Sequence, residues 1–153
     1  MNDGDRTHVE GLETLVGDWE MQVKFPGMDE PAGGASVSFD WMPGGPFLVE
    51  RWEIPDVPEA PDGLAVIGWD AGRATLLQHY FDTRGVARVY EMRLEDGVWM
   101  LERTKEDFSP LEFSQRYTGR FSEDGSRIDG TWEIAHDHET WEKDFDLSYV
   151  RKG

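Results

Sequence analysis

The sequence predicts an all-β protein, a single antiparallel meander β-barrel of about ten strands behind a short N-terminal helix. Three observations carry that expectation. Apolar and polar residues alternate with period two in successive runs, most cleanly from Trp19 to Phe25 and from Val37 to Trp41. The runs recur roughly every dozen residues. Between them stand turn sequences such as Asp96-Gly97, Asp124-Gly125 and Pro43-Gly44-Gly45-Pro46, the chemistry of hairpin connections. A sheet that wide twists, and closure removes its unpaired edges. The 153 residues fit one domain with a core of its own.

Each element follows from its residues. Glu10 to Val16, apolar at Leu12, Leu15 and Val16, reads as a turn or two of helix. Asp18 to Phe25 is a half-buried strand, with Trp19, Met21, Val23 and Phe25 on one face and Glu20, Gln22 and Lys24 on the other. Pro26 to Gly34 is a loop, and Ala35 to Met42 alternates again through Val37, Phe39 and Trp41. After Phe47 to Ile54 comes the stretch Pro55 to Gly63, whose Pro55, Pro58 and Pro61 forbid a central strand. It is the longest loop and a candidate lid over one barrel mouth. The remaining strands are Leu64 to Asp70, Ala74 to Phe81, Val86 to Leu94, Val98 to Thr104, Glu112 to Ser122, Ser126 to Ala135 and Glu139 to Arg151.

Composition narrows the function classes. With 32 acidic against 15 basic residues the formal charge is −17, a field that repels phosphate backbones and anionic lipid heads. No nucleic-acid or membrane partner is expected. A chain 38% hydrophobic, with 7 Trp and 8 Phe, carries too much apolar surface for a disordered acidic protein. The absence of cysteine excludes disulfides, thiolate metal sites and a cysteine nucleophile. The first ten residues are mostly polar, and no apolar run reaches the roughly 18 residues of a membrane span, so a cytoplasmic protein is expected. No Gly-x-Ser-x-Gly, P-loop or dinucleotide fingerprint occurs.

The pattern Leu12-x-x-Leu15-x-Gly17-x-Trp19, the ten strand-like runs and the aromatic final strand ending Tyr149-Val150-Arg151 resemble the calycin-like barrels. Among these the chain is most similar to short bacterial proteins of an uncharacterised family with lipocalin-like and nitrobindin-like shape. The resemblance implies that Trp19 seals the closed end of the barrel beneath Arg151, a cation over an indole face. In nitrobindins a late histidine binds haem. The last strand here, Glu139 to Arg151, has no histidine, so neither haem nor any other cofactor is expected.

Strand phase identifies candidate interior residues. Phe113, Gln115, Tyr117, Phe121, Ile128, Trp132, Ile134, Trp141, Lys143, Phe145, Leu147 and Tyr149 all take the inward phase. Among so many apolar positions Gln115, Tyr117, Lys143 and Tyr149 stand out, because a buried polar group needs a partner. Lys143 would meet an anionic ligand head, act as a reactive amine, or pair with a nearby acid. The middle strands carry polar residues on both faces, including Glu50 to Glu53, and a cavity would open most naturally there. His79, Tyr80, Arg88 and Tyr90 are the candidates in that region, with a structural hydrogen-bond network among them as the other reading, and Trp41, Trp52, Gln115, Tyr117, Trp132 and Lys143 complete the ligand-binding set. His136-x-His138-Glu139 has metal-like spacing, but at a hairpin tip where solvated side chains need no ion; no metal site is expected.

The function these residues favour is non-catalytic binding of a small, largely apolar or aromatic molecule. One alternative is a cavity enzyme of cyclase or isomerase type, with Tyr80, His79, Tyr117 or Lys143 as general acid or base. Another is a barrel filled by its own side chains, serving as an interaction module or homodimer.

Overall fold

The structure, a computed structural model, describes residues 7–55 and 60–152. Its strands are β1 (Gly17–Lys24), β2 (Ala32–Trp41), β3 (Leu48–Glu53), β4 (Gly63–Asp70), β5 (Thr75–Asp82), β6 (Ala87–Glu95), β7 (Val98–Arg103), β8 (Ser114–Phe121), β9 (Arg127–Ala135) and β10 (Glu142–Arg151). Among the described residues these ten strands form one closed barrel, each antiparallel to its sequence neighbours, with β1 pairing β10. The Asp-Gly turns do what their chemistry allows. Asp96 and Gly97 have φ of 53° and 74°, the left-handed pair that a tight β6–β7 hairpin demands.

The closed end is built from the N-terminal segment. A 3₁₀ helix, Glu10–Leu15, buries Leu12 and Leu15 against the barrel. Beside it Trp19 is fully buried and its Nε1 donates to the Leu15 carbonyl at 2.9 Å. The Arg151 guanidinium lies 4.1 Å from the Trp19 ring centroid and donates to the carbonyls of Val16 at 2.7 Å and Thr14 at 2.8 Å. The pairing implied by the resemblance is therefore present. Gly17 is required here twice over: its φ is +127°, and a Cβ would stand 2.9 Å from an Arg151 nitrogen. Trp41, expected in the cavity, belongs to this end instead. Its Nε1 donates to Glu13 on the helix at 2.8 Å.

Residues opposed across an antiparallel pair share a face, so the register reads out the interior. One series runs Phe39, Glu50, Ala65, Tyr80, Arg88 and a second runs Trp41, Leu48, Ile67, Gln78, Tyr90. A third joins Leu101, Tyr117, Trp132 and Phe145. Glycine makes room for the largest of these rings: Tyr117 lies across Gly119 and Gly130, where any side chain would collide with it.

Two expected interior positions are corrected by one irregularity. The β9–β10 register shifts between Lys143 and Phe145, so the two residues point to opposite faces although they are two apart. Phe145 faces in. Lys143 faces out, opposite Glu133, and pairs with Asp146 at 2.8 Å. Trp141 is likewise outside, under the guanidinium of Arg116 at 4.1 Å. Phe25 is at the rim, 49% exposed, against Phe145. Among the described residues no helix is long and apolar enough to cross a membrane.

Candidate functional site

The mouth opposite the 3₁₀ helix gathers most of the expected site. β1 leaves Trp19 and ends there at Lys24, and β3, β5 and β9 also end there. Trp52 stacks on Tyr80 with centroids 5.3 Å apart. Tyr80 meets Tyr90 edge-on at 6.2 Å, and Tyr90 meets Trp132 at 5.5 Å. The chain of rings then descends through Tyr117, 5.3 Å from Trp132, to Trp99, another 5.3 Å away. At the mouth Trp52 and Tyr90 are themselves buried, at 8% and 2% exposure. Tyr80, Trp132, Phe145, Arg88 and Gln115 are half-buried, whereas Trp99, Tyr117, Phe39 and Trp19 are fully buried.

Polar handles converge at the same mouth. The Gln115 Oε1 accepts from Arg88 Nη1 at 3.3 Å and from the Tyr90 hydroxyl at 3.1 Å. The Arg88 guanidinium also stands 5.5 Å over the Phe113 ring. Tyr80 donates to Asp82 at 2.6 Å, and Trp52 Nε1 donates to the Pro61 carbonyl at 3.0 Å. The flank of the Pro55–Gly63 loop thus touches the mouth through Pro61; residues 56–59, the centre of the expected lid, lie outside the described residues.

Burial raises the pKa of all the interior tyrosines, because desolvation penalises the phenolate. For Tyr80 the hydrogen bond to Asp82 adds to the effect, and for Tyr117 the charge of Glu50 does. Tyr90 is also pushed up by burial. Phenols so displaced are donors at neutral pH and are not bases. Asp82 goes the other way: hydrogen bonds from Arg84 and Tyr80 outweigh its partial burial and lower it.

His79 is separated from this group. On β5 it alternates with Gln78 and Tyr80 and so faces outward, opposite Val89. It lines a surface groove of about 320 Å³ with Leu77, Glu91, Asp107 and Phe108. The polar loop after β7 forms the far wall, held by the buried Arg103–Asp107 ion pair at 2.8 Å. At the other hairpin tip His138 Nδ1 shares a 2.9 Å hydrogen bond with Ser114 Oγ, while His136 lies 3.7 Å from Glu142. Among the described residues no three His, Asp or Glu side chains are placed to hold a metal ion.

The interior also holds polar groups that the phase argument left unplaced. Glu50 is 4% exposed, and among the described residues its carboxyl has no hydrogen-bond partner; desolvation raises its pKa to about 8. Gln78 Oε1 and Trp99 Nε1 are buried without partners. The signal for Glu50 was the alternation Leu48, Glu50, Trp52, which continues inward through a carboxylate.

No family model matches the chain, and no curated protein matches it. Among solved structures it is similar to the crystal structure of Rv2717c from M. tuberculosis, with a TM-score of 0.59 and 15% identity. The alignment covers 95% of this chain and 98% of that one. At that identity the likeness is one of fold.

Proposed function

We propose that the protein binds a small, largely aromatic or apolar molecule at the mouth of the barrel, without catalysis, in the manner of a calycin-like carrier of the cytoplasm. The observation that supports this is a set of partly covered rings at one mouth, above a sealed aromatic column. Rings at the closed end are sealed, while Tyr80, Trp132 and Phe145 remain half covered beside a polar pair, Arg88 and Gln115. Apolar walls with few convergent polar groups are the composition of ligand sites. The upward shifts of Tyr80 and Tyr117 weigh against their use as general bases and so against the cyclase or isomerase alternative.

Titration with 2-ethylnaphthalene, read by intrinsic Trp fluorescence, tests the reading. Saturable quenching is expected, weakened about tenfold by Trp132→Leu or Trp52→Leu, since each removes a large aromatic contact. A flat response in the native protein would favour a barrel filled by its own side chains.

A further inference from the structure

Three polar groups of the interior, Glu50, Trp99 and Tyr149, lie together. Glu50 and Phe39 are opposed across β2 and β3, and the Phe39 ring is 6.1 Å from Trp99 and 6.5 Å from Tyr149. Trp99 and Tyr149 are themselves 5.5 Å apart. The Glu50 charge acts on both Tyr149 and Tyr117. Tyr117 is satisfied, donating to the Leu147 carbonyl at 2.9 Å. The Trp99 Nε1 is buried without a hydrogen-bond partner among the described residues, and no hydrogen bond acts on the acidity of Glu50 or Tyr149, each 4% exposed. Ala65, the smallest side chain of its series, stands between Glu50 and the mouth residue Tyr80.

We infer that the niche bounded by Glu50, Trp99 and Tyr149 is the recognition end of the ligand site, and that it takes a carbonyl or phenolic oxygen on an otherwise aromatic molecule. The inference rests on binding at the mouth. An indole N–H and a phenol are donors, and a carboxyl kept neutral by burial is a third. An oxygen with free lone pairs accepts from the indole N–H, which can only donate, and from either O–H. A hydrocarbon ligand would leave the indole N–H unsatisfied, the condition under which a polar site rejects an analogue most strongly. A carboxylate head fits less well, because the chain's net charge of −17 opposes it.

The test compares 2-acetylnaphthalene with 2-ethylnaphthalene, which share a shape and differ in the ketone oxygen. The native protein should prefer the ketone by about tenfold or more, one or two net hydrogen bonds' worth. Tyr149→Phe and Glu50→Leu should each remove most of that preference while the affinity for 2-ethylnaphthalene stays within about twofold. Glu50→Gln, whose amide still donates, should keep it. If Glu50→Leu fails to fold, Tyr149→Phe and Trp99→Phe carry the comparison. Equal affinity for the two probes in the native protein, or a preference that survives both Tyr149→Phe and Trp99→Phe, overturns the inference and leaves mouth binding intact. If neither probe binds, both readings fall together.

Discussion

Glu50 is the residue whose environment departs furthest from its chemistry. A carboxyl on an interior face, with no hydrogen-bond partner among the described residues, is held neutral by the cost of ionising it there. Folding therefore takes up a proton between its unfolded value of 4.5 and its folded value of about 8. Because the native state binds that proton more tightly, the associated stability is complete below pH 4.5 and is lost as pH rises through about 8. The loss across that window is on the order of 4 kcal/mol. Glu50→Gln removes the titration and keeps the shape. Urea unfolding at pH 5 and pH 8 should show the variant gaining several kcal/mol relative to the native protein at the higher pH. Parallel stability curves would mean that Glu50 is solvated or paired.

At the scale of elements, the closed end and the register of β10 illustrate what the sequence could and could not reveal. The closure of Trp19 by Arg151 was legible only through the resemblance carried by Gly17-x-Trp19 and the final strand. The strands were legible because alternation and turn residues are local signals. Lys143 was not legible. A single bulge reverses the face of everything on one side of it, and nothing in Glu142-Lys143-Asp144-Phe145 marks where the extra residue sits. His79 failed differently: β5 has apolar and polar residues on both faces, so alternation alone could not choose. Glu50 was obscured because its alternation is intact and only its charge argues against an inward position. The cap itself makes a testable claim. Arg151 satisfies two carbonyls with a planar fork while covering Trp19, a geometry that an ammonium cannot reproduce. Arg151→Lys should thus recover little of the 2 to 4 kcal/mol, roughly, lost in Arg151→Met. Binding of 2-ethylnaphthalene at the opposite mouth should be unchanged in both, and a lysine variant as stable as the native protein would contradict the assignment.

Closure and charge act on the molecule as a whole. A barrel with every strand paired on both sides has no free edge at which to fray, so the sheet is expected to unfold as one unit. Its outer wall nevertheless carries most of a −17 charge, and compaction brings those carboxylates together. The exposed ion pairs offset little of this: Lys105–Glu91, Arg127–Asp129 and Lys143–Asp146 are all substantially exposed, and such pairs contribute about 0 to 1 kcal/mol. Repulsion between surface charges should therefore dominate the salt response. Screening shortens its range from about 30 Å at 0.01 M salt to about 8 Å at 0.15 M. The melting temperature, measured by circular dichroism at pH 7, should rise by several degrees over that range, with potassium and sodium chloride equivalent because the effect is one of ionic strength. A fall in Tm would show that attraction within the ion pairs outweighs the net repulsion. A rise with one cation alone would point to specific ion binding on the acidic wall.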